Sequence, residues 1–185
     1  MNPPPLRFQT ARLTLRRPTL DDAQAIFDEY AADPEVTKYL VFTTHREVET
    51  VRVFLREVTA AAKEGTRFPW AITLTGSDRP IGMAEMRVEG ARAEIGYVLA
   101  KKHWGQGYMP EALRFLVDWA MAQAEIHRVW AFCDVDNRGS TRVLEKIGMQ
   151  REGILRKWSV SPNINDVPRD CYCYSVVKGL PHEQR

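Results

Sequence analysis

Residues 101–110 read KKHWGQGYMP and lie between a short apolar run, IGYVLA, and a long amphipathic one, EALRFLVDWAMAQA. A helix N-terminus carries unpaired N–H groups and partial positive charge. Glycines just ahead of it let the backbone close on a phosphate. Gly105, Gln106, Gly107 and Tyr108 are therefore spaced to wrap a pyrophosphate, and Pro110 suits the first helical turn, where a missing N–H costs nothing. The same glycines also suit a plain strand-to-helix reversal, and the spacing alone leaves both readings open. No GxxxxGK[ST] phosphate loop is present, and GQGYMP begins like GxGxxG but has Pro110 in place of the third glycine. A second group, DVDNRGSTRVLEKIGM (residues 134–149), sets Asn137 and Ser140 at the start of a short helix. Capping by itself accounts for both residue types.

The elements that must hold these residues follow from the hydrophobic period. Residues 12–16 (RLTLR) alternate as an edge strand stopped by Pro18. Thr19 caps a helix over about 21–32, with Asp22 as an acidic variant of the capping box, and Asp33-Pro34 ends it. A second helix spans about 47–62, with Val48, Val51, Leu55, Val58 and Ala62 on one face. Strands are expected over 68–74, 81–88 and 93–99, joined by short turns as an antiparallel meander. A helix follows over about 109–124, lined by Ala112, Phe115, Leu116, Trp119, Ala120 and Gln123. Then come a strand over 128–135, the Asn137-capped helix ending at Gly148, and two strands over about 150–160 and 169–177. The antiparallel meander before the glycine turn does not fit a parallel dinucleotide-binding series.

The 185 residues suit one domain, 1–185, with residues 1–9 (three prolines among them) as an extended lead-in. With 26 basic against 24 acidic residues, the net charge of +2 makes no case for nucleic acid as a partner. No run approaches the roughly 18 apolar residues of a membrane span, and the N-terminus lacks the apolar centre of a secretory signal. A cytoplasmic protein is expected. Cys133, Cys171 and Cys173 are odd in number and lack metal-ligand spacing, so they read as free thiols in a reducing compartment. His45, His103, His127 and His182 form no cluster, and no metal is inferred. Trp119 and Trp130 read most simply as core. Trp158 lies in a polar loop of the kind that shapes substrate sites, where Arg156, Lys157 and Arg169 would attract an acidic acceptor or form a solvated basic surface.

The chain resembles the GNAT superfamily of acyl-coenzyme A-dependent N-acyltransferases, and within it the RimJ/RimL-like branch. The resemblance rests on RLTLRRPTLDDA, PIGMAEMR, AEIGYVLAKKHWGQGYMPEAL, DVDNRGSTRVLEKIGM and REGILR, taken in order along nearly the whole chain. It implies an α/β fold of α+β type: a mixed, mostly antiparallel central sheet, splayed between its fourth and fifth strands and flanked by about four helices. Acetyl-CoA would lie in the splay as co-substrate. The family's acceptor strand falls on residues 95–100. Val98, Leu99 and Ala100 would line the pantetheine arm, with the backbone of Val98 and Ala100 pairing to it and the Val98 N–H serving as oxyanion donor. The pyrophosphate would rest on the amides of residues 105–109 (Gly105, Gln106, Gly107, Tyr108, Met109). The family pattern Q/R-x-x-G-x-G/A would start here at Lys102, which keeps positive charge.

The implied reaction is direct acetyl transfer to a primary amine, from a protein N-terminus or a small molecule. The amine must first be neutral. At pH 7 this costs about 4–5 kcal/mol for a lysine side chain and about 1 for an α-amine. Glu85 and Glu94 are the candidate bases, with Asp134 a weaker one. Glu85 lies between Ala84 and Met86, an apolar setting that would raise its pKa. Structural ion pairing is the other reading of both glutamates. By the resemblance Ser140 would be the thiolate partner, with Tyr108 as a competing acid, and Asn137 would orient the pantetheine or the cofactor's sulfur end. A non-catalytic acyl-CoA sensor would keep the glycines and Asn137 but need neither Glu85 nor Ser140. The resemblance is compatible with a monomer or a homodimer.

Overall fold

The computed structural model describes residues 4–179. One eight-stranded sheet runs through it in the order β1-β2-β3-β4-β5-β6-β8-β7. The strands are β1 (Arg7–Gln9), β2 (Leu13–Arg16), β3 (Arg67–Leu74), β4 (Pro80–Glu89), β5 (Arg92–Leu99), β6 (Arg128–Asp134), β7 (Gln150–Ser159) and β8 (Arg169–Val177). The helices are α1 (Ala23–Ile26), α2 (Pro34–Thr37), α3 (Val48–Lys63), α4 (Tyr108–Ala122) and α5 (Arg138–Lys146). Every strand pair is antiparallel except β5–β6.

Three expectations are corrected. The sheet edge is β1, not residues 12–16: Phe8 faces Leu15 across the ladder and its ring packs edge-on against Phe115 of α4. Part of the expected loose lead-in is therefore a strand, and the first three residues lie outside the described ones. The fourth and fifth expected strands become β5 and β6. The helix expected over 21–32 is composite: a 3₁₀ turn over Leu20–Asp22, α1, then a π-turn over Phe27–Ala31. Its start is as expected, since Thr19 N–H donates to Asp22 at 2.7 Å.

The strand period splits the core in two. On one sheet face Ala84, Met86, Ile95, Val129 and Tyr174 pack with Leu113 and Leu116 of α4 and Leu144 of α5. On the other, Met83 and Ala100 pack with Ile26, Tyr30, Val51 and Leu55 of the first helices. The sheet thus separates α4 and α5 from α1–α3, and whatever crosses it must pass between strands.

Candidate active site

That passage exists between β5 and β6. Their parallel pairing covers Arg92↔Arg128, Ala93↔Val129 and Glu94↔Trp130 and then stops, although β5 continues to Leu99 and β6 to Asp134. Beyond Glu94 the facing strand edges diverge and leave backbone groups open to a ligand. Which groups these are follows from the ladder to β4. The Ala100 N–H donates to Ile81 O at 2.8 Å. Alternate residues of an antiparallel strand point to opposite neighbours, so Val98 is turned to β4 with Ala100, and Tyr97 and Leu99 face the gap. The Val98 and Ala100 backbone, expected to pair with the pantetheine arm, and the Val98 N–H, expected as oxyanion donor, are thus turned to β4 and away from the gap. The Leu99 C=O already accepts from the Trp104 indole at 2.7 Å.

At the open end stands the glycine turn. Gly107 is the N-cap of α4 with φ of +80°, and Gly105 has φ of +74°. Left-handed backbone at these points is what glycine permits. It leaves the Tyr108 and Met109 N–H groups, the first of α4, without intrahelical acceptors. The turn is braced from the far edge of the sheet. Arg12 donates to Gln106 O at 3.0 Å and to Glu111 at 2.7 Å, and its guanidinium lies 4.6 Å from the Tyr108 ring centroid. Thr10 donates to Glu111 at 2.6 Å. Burial works against ionisation of Glu111, but the hydrogen bonds from Thr10 and Arg12 together bring its pKa below the ordinary value. Lys102, at the first position of the family pattern, is paired with Glu29 at 2.6 Å. That carboxylate, on the π-turn, also holds Arg79.

On the α4–α5 side a bridge closes the gap. Asn137 caps α5 by accepting from the Ser140 N–H at 3.1 Å, as its type predicts. This holds Ser140 at the mouth, where its hydroxyl meets the Tyr97 hydroxyl at 2.6 Å. Burial pushes the Tyr97 phenol above its ordinary pKa, with the Ser140 bond opposing, so the phenol is protonated at neutral pH. Tyr97 is missing from the expectations, which treat it only as part of an apolar strand. Its partner is 43 residues away.

On the opposite face Glu85, Arg87 and Glu94 are neighbours on β4 and β5. Glu85 is buried but not in an apolar setting: Ala84 and Met86 point to the other face, and its carboxylate takes bonds from Arg67 at 2.9 and 2.6 Å and from Arg87 at 2.6 Å. Glu94 accepts from Arg87 at 3.0 Å. Its desolvation outweighs that cation and pushes its pKa above the ordinary carboxylate value. Glu94 is also the last β5 residue paired with β6, at the vertex of the gap. Asp134 is buried at the far end of β6 and bound by Arg169, which also holds Asp136 at 2.7 Å. Arg169 is thus committed within the protein. Across this face one side chain ties two loops. Asn163 accepts from the Thr44 N–H at 2.8 Å and donates to Thr37 O and Phe42 O at 2.7 and 2.8 Å. Trp130, expected in the core, is half-buried on this face. All three cysteines are buried and free. Among the described residues no His/Cys/Asp/Glu group is arranged to hold a metal, and no helix is long and apolar enough to cross a membrane.

Comparison with known proteins meets this geometry. The family described as acetyltransferase (GNAT) domain matches residues 12–150. The uncharacterized N-acetyltransferase p20 of Bacillus licheniformis is 34% identical over 173 residues, covering 91% of this chain and 94% of p20. The ribosomal-protein-serine acetyltransferase of Escherichia coli is 35% identical over 85 residues, 46% of each chain. The crystal structure of the microcin C7 self-immunity acetyltransferase MccE, in complex with acetyl-CoA and AMP, superposes with a TM-score of 0.82 at 21% identity, covering 91% of this chain and 93% of that one. With a sheet opened beside a glycine-started helix and the family match running from the Arg12 brace past the Asn137 cap, the chain belongs to the GNAT acetyltransferase family.

Proposed function

We propose that the protein transfers an acetyl group from acetyl-CoA to a primary amine, with donor and acceptor meeting in the β5–β6 gap from opposite faces of the sheet. The observation that carries this is the abrupt end of β5–β6 pairing at Glu94, beside a helix N-terminus at Gly107.

The Tyr108 and Met109 amides, with the backbone of Gly105, Gln106 and Gly107, receive the pyrophosphate. The Tyr97 and Leu99 edge of β5 accepts the pantetheine arm as an added strand would, which sets the thioester near the vertex. Glu94 takes the proton from the incoming ammonium, directly or through one water. Its raised pKa brings a carboxylate nearer the working pH of a general base. Glu85 holds Arg87 against Glu94 and is a positioning residue. The neutral amine attacks the carbonyl carbon, and a main-chain N–H of the β5 edge meets the developing oxyanion. The C–S bond breaks; the thiolate takes the Ser140 proton, Ser140 takes that of Tyr97, and the second proton, shed by the acylated nitrogen, passes through solvent and restores the phenol, while the proton on Glu94 is released to solvent. Tyr108, whose ring lies under Arg12, serves the turn.

The test is release of free thiol from acetyl-CoA in the presence of amines: amino-acid amides, short peptides, polyamines and aminoglycosides. Amine-dependent release, with the acetylated product seen by mass spectrometry, is expected. Calorimetric binding of acetyl-CoA with no release for any amine would overturn the catalytic assignment.

A further inference from the structure

The face that carries Glu94 also carries aromatic surface that the transfer chemistry does not use. On β6, Val129, Ala131 and Cys133 are buried against the α4 side, so the alternate residues Trp130 and Phe132 stand on the opposite face and are half-buried. Their ring centroids are 6.2 Å apart, and Phe132 continues to Trp158 of β7 at 6.1 Å, nearly edge-on at 76°. Trp158 leaves 49% of its surface exposed.

The backbone that delivers Trp158 is strained. The β7–β8 register slips between Leu155 and Ser159. Within the slip Lys157 has φ of +48°, the one positive φ at a non-glycine among the described residues. The Asp170 carboxylate fixes it by accepting from the Lys157 N–H at 2.8 Å. Bulges of this kind re-aim side chains next to active sites, and left-handed backbone at a residue with a Cβ persists only where its surroundings impose it. Here the distortion sets an indole on Phe132, in the open, rather than into the core.

We infer that the acceptor amine carries a planar aromatic or heteroaromatic ring, which stacks on the shelf of Trp130, Phe132 and Trp158 while its nitrogen reaches Glu94. The inference rests on the acetyltransferase reading above and names the substrate class of that same site. Register fixes the reach. Trp130 is the β6 partner of Glu94, one strand spacing of about 4.8 Å away, and Phe132 lies two residues, about 6.6 Å, further along. A ring lying over Trp130 and Phe132 is therefore separated from the nitrogen by a spacer of about two to four atoms. Arylalkyl amines, aromatic amino-acid amides and peptides with an aromatic first residue share this form.

Phenethylamine and its saturated counterpart, cyclohexylethylamine, are close in size and carry the same primary amine, and they differ chiefly in the flat π-face; the slightly lower basicity of phenethylamine is common to wild type and variants and cancels in the comparison between them. The expected ratio of kcat/KM is about tenfold in favour of phenethylamine. It falls toward one in Trp158→Ala and recovers in Trp158→Phe. Phenylalaninamide and a tripeptide with N-terminal phenylalanine then separate a free amine from a chain terminus. Binding is read independently by quenching of tryptophan fluorescence in the presence of coenzyme A. Equal turnover and equal binding of the flat and saturated amines, or a preference untouched by Trp158→Ala, would overturn the inference. Acetylation of non-aromatic amines alone would do so too, while leaving the acetyltransferase reading intact. Failure to bind acetyl-CoA would instead remove that reading. If acetyl-CoA binds but no amine is turned over, the catalytic reading falls and the acceptor assignment with it, and the quenching comparison then reads only whether the shelf prefers a flat ring.

Discussion

Glu94 and Glu85 show how single residues of one type are separated by their surroundings. Both are carboxylates on adjacent strands of one sheet face, yet Glu85 is held by two guanidiniums and Glu94 by one. Burial leaves Glu94 with its pKa raised. A base must be ionised to accept a proton, so transfer falls as pH drops through this raised pKa, in a window above the ordinary carboxylate value of 4.5. Glu94→Gln is expected to lower kcat/KM by roughly 10²-fold or more and to erase that acidic limb from the pH–rate profile. A variant that keeps both the limb and the rate would move the base elsewhere. At this scale the sequence is readable where the chemistry is local. Asn137 caps the helix that carries Ser140, and Gly107 stands at the start of α4, because caps and left-handed turns depend on immediate neighbours. Tyr97 and Arg12 are not readable, since their partners lie 43 and 99 residues off.

Strands and helices with a clear period fall within a residue or two of their expected bounds. β8 and α3 are examples, the latter burying Val51, Leu55 and Val58 as its spacing requires. Three-residue β1 has too few positions to show a period. Which edge of β5 is open depends on parity, and a slip of one residue reverses it; hence the exchange of Val98 and Ala100 for Tyr97 and Leu99. That edge depends on β4 lying close against β5. Gly82 is what allows this: a Cβ there would come within 2.5 Å of Val98 O, a main-chain atom. Gly82→Ala is expected to cost about 1–3 kcal/mol as overpacking. A domain of this size would lose roughly 2–4 °C of melting temperature per kcal/mol. Acetyl-CoA affinity should weaken with it, as the open edge of β5 shifts. An unchanged melting curve would mean that the strands part without cost.

In the whole molecule, the gap is a property no segment carries alone. β5 and β6 each read as complete strands, and only their three-residue pairing reveals that they separate. The residues around it come from the entire chain: Thr10 and Arg12 near the start, Gly107 in the middle, Asn137, Ser140 and Trp158 later. The Asn163 side chain belongs to the same scale. It joins the loop after α2 to the loop between β7 and β8 through four contacts, two to its oxygen and two to its nitrogen. Two surface segments about 120 residues apart in sequence are therefore bound to open as one cooperative unit. Amides around residues 42–45 and 161–165 are expected to exchange with solvent deuterium at matched rates, and Asn163→Ala to accelerate both sets together. Faster exchange in only one of them would show that the two segments open independently. Bound together, they give this face one opening rate in place of two, so that any ligand admitted past them enters and leaves by the same event.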